Sequence, residues 1–302
     1  MELAALRSYR EVCRQASISR AAEVLGYTQS AVSRQIAALE RQLDSPLLER
    51  HARGVRPTAA GAILLDHAHA IVARADRAAE EVAAAGRRRS SRLRVGAVPT
   101  AAATLLPRAL TRFAADDPSV RVTFTEDVTP QLLPRLQEGE LDVAVVTDYP
   151  PGLPAMPGID LVPLLDDPLR LLLPPGHRLA GRTRVDLAEL ADETWVEDYS
   201  GSATLLTGLC ARAGFTPRLD IDCGSLLGKQ AFVAAGLGIT LVPDLLVPAL
   251  RTDVLVRDLT EPPTRTVHAA LRPHDTPAAR FVTALRDAAV PAKNDLPATG
   301  DA

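Results

Sequence analysis

Residues 19–40, Ser-Arg-Ala-Ala-Glu-Val-Leu-Gly-Tyr-Thr-Gln-Ser-Ala-Val-Ser-Arg-Gln-Ile-Ala-Ala-Leu-Glu, constrain this chain more than any other stretch, because they encode two short helices joined by a tight turn. Ser19 is the expected N-cap of a first helix over Arg20–Leu25, and Gly26 supplies the left-handed residue that ends it. Thr28 caps the next helix. There Val32, Ile36, Leu39 and Leu43 recur at spacings of four, three and four, an apolar stripe that must face a core. Gln29, Ser30, Ser33 and Arg34 fall opposite that stripe at the helix N-terminus, where a recognition helix presents side chains to base edges. A guanidinium at Arg34 suits guanine O6 and N7. Helix pairs with small residues at the turn also occur in all-helical domains without nucleic acid, so the flanks carry weight.

Before the pair, Leu3, Leu6, Tyr9, Val12 and Cys13 mark an amphipathic helix that completes a three-helix core. After it, residues 49–58 form a short basic hairpin with Arg50, Arg53 and Arg56 around Gly54, the pattern of a wing that reaches phosphate. Over Leu3–Gly61 the chain resembles the LysR-type transcriptional regulators. The likeness rests on the helix-one spacing, Ser17-Ile-Ser-Arg-Ala-Ala22, Thr28-Gln-Ser-Ala-Val-Ser-Arg-Gln-Ile36, Leu39-Glu40, Pro46-Leu47 and Glu49-Arg50. Ser30 stands where that family usually has proline, Asp44 where it has glycine, Leu48 where phenylalanine is common, and Pro57 where leucine precedes Thr58. The resemblance implies a winged helix-turn-helix over 1–58 that binds double-stranded operator DNA through Gln29, Ser30, Ser33, Arg34, Arg50 and Arg53.

The 302 residues suffice for two domains, and the charge is divided between them. Residues 1–92 carry 15 Arg and no Lys against 10 Asp+Glu, whereas the remainder carries 19 basic against 27 acidic residues. The basic end is the nucleic-acid end, and its modest excess calls for more than one subunit to gather phosphate contacts. Three cysteines, Cys13, Cys210 and Cys223, are an odd number without metal-ligand spacing, which argues for a reducing compartment. With Glu2 and Arg7 near the start and no apolar run long enough to span a bilayer, a cytoplasmic protein without membrane attachment is expected.

From Thr58, as cap, a helix is expected over 59–86. Leu64, Ala68, Ile71, Ala75, Ala78 and Val82 alternate at four and three, a heptad seam for a homodimer or homotetramer, and the resemblance favours this over packing on its own domain. Residues 87–91 then read as a hinge. Beyond Arg92, short β-branched or leucine-rich runs alternate with helical stretches, the mark of a mostly parallel α/β sheet. Strands are expected at 93–98, 120–124, 143–147, 160–164, 169–173, 240–242, 254–258 and 267–272. Helices are expected at 104–116, 130–138, 202–213, 229–235 and 277–288, with a disordered tail over 291–302.

Residues 92–290 resemble, more loosely, the family's effector-binding domain, with anchors at Leu93-Arg-Val-Gly96, Leu106-Pro107, Glu138-Gly139, Leu173-Pro174-Pro175, Trp195 and Val233-Ala-Ala-Gly-Leu-Gly-Ile239. The resemblance implies an α+β two-domain chain whose C-terminal part is a periplasmic-binding-protein-like α/β domain. Lobe I would take 92–162 plus 267–290, and lobe II 163–266. Ligands in open α/β sheets sit beyond the carboxyl ends of strands. That rule nominates Pro99, Thr100, Ala101, Val128, Thr129 and Thr147 from one lobe, with Ser200 and Ser202 from the other. The set is rich in hydroxyls and poor in cations, though a Ser or Thr at such a junction also serves as an N-cap.

An enzyme has little support. His177, His268 and His274 are scattered, no nucleophile-elbow or dinucleotide turn follows a strand, and no metal-ligand spacing occurs. Asp116-Asp117 and Asp166-Asp167 each abut a proline and read as solvated turn residues. The expectation is a regulator that needs no cofactor or metal and binds a small-molecule effector. A regulator with a degenerate pocket, and a free-standing solute-binding protein, remain as alternatives.

Overall fold

The computed structural model describes residues 1–51, 54–85, 92–148, 152–197, 200–272 and 276–290. Arg53, the hinge at 87–91, His274 and the tail at 291–302 lie outside them. The chain forms two compact units, one of residues 1–92 with 134–142 and the other of 93–133 with 143–302. No helix among the described residues is long and apolar enough to cross a membrane.

In the first unit, α1 (Leu3–Gln15), α2 (Ile18–Leu25) and α3 (Gln29–Leu43) close on Leu6, Tyr9, Val12, Ala21, Ala22, Val32, Ile36 and Leu39, all buried. Leu43, expected in the stripe, is exposed, because it is the last residue of α3 and the chain turns away after it. The cap of α2 is Ser17 rather than Ser19: its side chain accepts the Arg20 N–H at 3.3 Å, so the helix starts two residues earlier than expected. Gly26 ends it in the left-handed conformation, with φ 69°. Asp44 ends α3 likewise at φ 47°, which explains why a family that prefers glycine there tolerates this short polar side chain.

The hairpin β1 (Leu48–His51) and β2 (Gly54–Pro57) pairs Glu49 with Arg56 and Arg50 with Val55. Its base is pinned twice. The Ala16 carbonyl accepts the Val55 N–H at 3.0 Å, and a Cβ on Gly54 would meet that same carbonyl oxygen at 2.2 Å. Glu40 Oε1 accepts the Leu47 N–H at 2.9 Å, and the Leu47 carbonyl accepts the Tyr9 hydroxyl at 3.2 Å and the Thr58 N–H at 3.0 Å. The Leu39-Glu40 and Pro46-Leu47 motifs are therefore two halves of one backbone clamp.

Helix α4 (Ala59–Ala85) follows, its N-terminus capped by Thr58 Oγ1, which accepts the Gly61 N–H at 3.0 Å. Here the heptad expectation needs correction. Leu64 and Ala68, with Val72, are buried in the core of their own unit, so that end of the seam is already occupied. Ile71, Ala78 and Val82 are exposed. Ala75 is half-buried.

The second unit contains one large mixed sheet ordered β4-β3-β5-β12-β6-β11-β7, with β10 also on β6. Its strands are β3 (Arg92–Ala97), β4 (Arg121–Glu126), β5 (Val143–Thr147), β6 (Asp160–Leu173), β7 (Arg184–Val185), β10 (Thr240–Pro243), β11 (Leu255–Leu259) and β12 (Thr264–Leu271). The expectation of a mostly parallel sheet fails because β6 recruits only antiparallel partners, β12 along its first half and β10 and β11 along its second. The two strands expected at 160–164 and 169–173 are this one strand, continuous through Asp166-Asp167-Pro168. Those acids are thus strand residues and not a solvated turn, and Asp167 is fully withdrawn from water. Asp116 and Asp117 do lie at a chain reversal, where the helix that begins at Leu105 ends.

Short elements escaped the sequence reading: β7, the parallel pair β8 (Thr194–Glu197) and β9 (Arg218–Asp222), and the one-turn helix α5 (Pro99–Ala103). Helices α6 (Leu105–Asp116), α7 (Thr129–Gln137), α8 (Ser200–Arg212), α9 (Leu226–Ala234) and α10 (Thr276–Ala289) lie within a few residues of expectation. Phe113 of α6 meets Phe281 of α10 edge-on at 5.3 Å between ring centres. Along β6, Leu171 and Leu173 join the core around Trp195, whereas Leu172 points the opposite way, to Val196, Val233 and Val242, as period-two alternation requires.

The close approach of α4 to the Leu47 loop gives a direct test. A Cβ on Gly61 would lie 2.1 Å from the Leu47 carbonyl oxygen and 2.5 Å from the Tyr9 hydroxyl. Gly61→Ala is expected to destabilise the first unit by about 1–3 kcal/mol, as overpacking does, measured by thermal denaturation of residues 1–85 followed by far-UV circular dichroism.

Candidate DNA-reading face and effector cleft

The reading face begins at the cap of α3. Thr28 Oγ1 accepts the Ala31 N–H at 3.2 Å and lies 3.1 Å from the Ser30 hydroxyl. Ser30 occupies the second helical position, where a proline is sterically tolerated, so its replacement of the usual proline leaves the helix start intact. Gln29, Ser30 and Arg34 are exposed and Ser33 is half-buried, opposite the buried Val32, Ile36 and Leu39. The Ser8 hydroxyl donates to Gln35 Oε1 at 2.5 Å and ties α1 to α3. A cavity of about 370 Å³ opens between α1 and α3, with Arg34 and Gln35 among its walls. On the hairpin, Arg56 pairs with Glu49 at 2.6 Å, both side chains well exposed. Arg50 lies on β1 opposite Val55.

In the second unit, the nominated residues of lobe I gather at the carboxyl ends of β3, β4 and β5. Pro99 opens α5, with Thr100 and Ala101 behind it, both buried. Thr147 ends β5. Thr129, the first residue of α7, donates its hydroxyl proton to the Thr147 carbonyl at 3.2 Å and accepts the Thr147 N–H at 3.1 Å, which binds α7 to the end of β5. Val128 is half-buried beside it and gives its N–H to Asp127.

Beside the nominated set, which itself holds no cation, stands a buried arginine. Arg265 of β12 directs both Nε (2.9 Å) and Nη2 (2.8 Å) onto Asp167 Oδ2, and the same Nη2 donates to Thr100 Oγ1 at 2.8 Å. These two charged side chains retain only 5% and 0% of their exposure, and they are cross-strand neighbours in the β12–β6 ladder. Asp167 Oδ1 accepts the Leu245 N–H at 2.8 Å, so both carboxylate oxygens are engaged.

A second buried pair lies between β8 and α9. Lys229 Nζ lies 2.7 Å from Glu197 Oε2, with 5% and 6% exposure, and the Ser202 hydroxyl donates to the same oxygen. The Glu197 carbonyl also accepts the Cys223 N–H at 3.0 Å and its thiol at 3.2 Å. Ser200 opens α8. Thr100 and Ser202 thus each attach to a buried ion pair, and Thr129 and Thr147 attach to one another. Arg265, Asp167, Lys229 and Glu197 were missed from sequence. Lys229 offered a signal, being one of two lysines in the chain and set in the apolar run 226–234. Arg265 offered none, because its value depends on a strand neighbour 98 residues away.

Breaking either pair strands a charge without water. Lys229→Met is expected to cost about 3–5 kcal/mol by leaving Glu197 buried alone, while Lys229→Met combined with Glu197→Leu recovers most of that loss. Urea denaturation of the two variants beside the parent protein measures both.

Comparison with known proteins agrees with this architecture. Residues 3–62 match the family model described as a bacterial regulatory helix-turn-helix protein, lysR family, and residues 86–290 match the LysR substrate binding domain. The chain is 38% identical over 252 residues to a probable hydrogen peroxide-inducible genes activator of Mycobacterium avium, covering 82% of this chain and 79% of that protein. It is 34% identical over 250 residues to the Hca operon transcriptional activator HcaR of Escherichia coli strain K12, covering 80% and 82%. Among solved structures, a full-length OxyR variant from Pseudomonas aeruginosa superimposes with a TM-score of 0.68 at 26% identity, covering 96% of this chain and 94% of that one. CbnR, a LysR family transcriptional regulator, gives 0.61 at 26% identity, covering 96% and 99%. Its complex with target DNA gives 0.55. With both halves matched along nearly their whole length, the chain belongs to the LysR family of DNA-binding transcriptional regulators, binding proteins rather than enzymes, with a helix-turn-helix domain followed by an effector-binding domain.

Proposed function

We propose that this regulator reads a pseudo-palindromic operator as a homodimer or a pair of dimers, through Gln29, Ser30, Ser33 and Arg34 of α3 with Arg50 and Arg53 of the wing. A small molecule held without covalent bonding between the lobes, beside Thr100, Thr129 and Ser202, shifts its regulatory state. The observation that carries the first part is the capped, exposed start of α3 opposite a fully buried stripe, the geometry a major-groove reader needs. The exposed Ile63, Ile71 and Val82 of α4 support pairing of two copies, taking over from Leu64 and Ala68. Effector binding acts on transcription only through its differential affinity for two assemblies.

The test is titration against the DNA upstream of the protein's own gene, at two salt concentrations, with an unrelated duplex as competitor. Selective binding that weakens steeply with salt is expected. Arg34→Ala is expected to lose at least about tenfold in selectivity, the scale of one bidentate base contact, while sedimentation shows an unchanged assembly. Full selectivity in Arg34→Ala would move base reading elsewhere.

Several relatives are named as hydrogen peroxide-inducible activators, and the thiols of this chain speak against that route. A peroxide-reactive cysteine needs an accessible thiolate. Burial pushes the Cys210 thiol up to about 12, with Glu197 adding to the effect, and burial also raises Cys13 within the first unit. Cys223 Sγ lies 3.2 Å from the Glu197 carbonyl oxygen and 3.6 Å from that of Ser225. Hydrogen peroxide is therefore expected to leave operator affinity unchanged, with all three thiols recovered by mass spectrometry. A peroxide-dependent shift that Cys223→Ser or Cys210→Ser abolishes would overturn this.

A further inference from the structure

The cavity of about 370 Å³ between α1 and α3 shares only Arg34 with the DNA-reading face. Its apolar lining is Ala5 of α1 with Ala31, Ala38 and Leu39 of α3, mostly short side chains that leave the gap open.

The polar side chains on its walls have complementary capacity left over. Glu2 is the N-cap residue of α1, yet its carboxylate makes no capping hydrogen bond. Among the described residues neither that carboxylate nor the Arg34 guanidinium has a hydrogen-bond or ion-pair partner, so two opposite charges line one cavity without closing on each other. Gln35 is fixed in one sense. The fully buried Ser8 hydroxyl donates to Gln35 Oε1 at 2.5 Å, which leaves the amide nitrogen of Gln35, a donor only, as its free end. Gln42 completes the polar lining without a charge. The cavity therefore offers donors from α3 at Arg34 and Gln35, and an acceptor at the start of α1.

From this geometry we infer a second small-molecule site, in the DNA-binding unit itself, for a compact aliphatic amino acid. Its carboxylate meets the Arg34 guanidinium and the Gln35 amide N–H, its ammonium meets Glu2, and its hydrocarbon side chain lies on the alanines and Leu39. A ligand with one charge alone desolvates the opposite wall without pairing it, which costs affinity. The consequence is regulatory. Arg34 cannot hold a ligand carboxylate and a guanine edge at once, so the amino acid competes with the operator for this one side chain. That consequence rests on the assignment of Arg34 to base reading; the site itself does not.

The test uses the full-length protein and three probes: L-leucine, 4-methylpentanoate, which lacks the ammonium, and 3-methylbutylamine, which lacks the carboxylate. Calorimetry without DNA is expected to show leucine binding at least about tenfold tighter than either analogue, the scale of one charge-assisted hydrogen bond. Glu2→Gln is expected to bring leucine down to the level of 4-methylpentanoate. Gln35→Glu keeps the acceptor for Ser8 and sets a carboxylate against that of the ligand, and is expected to bring leucine down to the level of 3-methylbutylamine. In operator titration, leucine is expected to weaken binding in proportion to its concentration, without the plateau that an effect transmitted from a separate effector site reaches. Glu2→Gln is expected to retain operator binding and lose this sensitivity. A leucine affinity no better than that of its analogues, or one untouched by both substitutions, would overturn the site. A plateau, or inhibition that persists in Glu2→Gln, would overturn the competition. Absence of selective operator binding by the parent protein would sink the base-reading assignment, while calorimetry still decides the site.

Discussion

The effector domain depends on a carboxylate and a guanidinium taken out of water at the middle of its longest strand. Asp167 sits where β6 stops pairing with β12 and starts pairing with β10. At that point it engages Arg265 from one neighbour and the Leu245 amide from another. The carboxylate stands two residues before Leu169, where β6 enters the apolar core around Trp195. Its contact with Arg265 is directional and charge-assisted. Desolvating both ions is costly, and the cost is offset because each oxygen of Asp167 finds a donor.

The same contact extends beyond the two strands: Arg265 reaches past Asp167 to Thr100 in α5. Lys229, Glu197 and Ser202 repeat the arrangement on the β8 side, with a buried pair fixing a hydroxyl. Each pair neutralises itself, so the domain carries charged side chains in its interior.

The DNA-binding unit relies on backbone satisfaction instead. Its hydrophobic core is supplemented by a set of contacts to main-chain groups. Glu40 receives the Leu47 amide, Leu47 receives Tyr9 and Thr58, and Ala16 receives Val55. These contacts set the wing and the start of α4 against the three helices with little side-chain area, and they account for Gly54 and Gly61, where a Cβ would collide with a carbonyl. The exposed face of α3 is thereby presented by a scaffold whose buried contacts, Val32, Ile36 and Leu39, lie on the other side of the helix.

Much of this was legible in the residues. The helix pair, the Gly26 and Thr28 punctuation, the hairpin and the cap at Thr58 are local features, governed by interactions within a few residues, and one-dimensional patterns report such features well. The regular helices and most strands of the second unit were legible for the same reason. What the sequence could not determine is which partner a residue meets across the chain. Leu64 and Ala68 fit a heptad seam equally well whether they face a second copy or their own core, and only packing assigned them to the core. Asp166-Asp167-Pro168 carries every mark of a turn, yet Arg265, 98 positions away, makes Asp167 the interior of a strand. The sequence by itself determined the DNA-reading element and the class of the molecule, because caps, turns and amphipathic periods are short-range. The tertiary structure alone decided where the buried charges sit and which partners the Thr100, Thr129 and Ser202 hydroxyls meet, because both depend on groups brought together from distant parts of the chain.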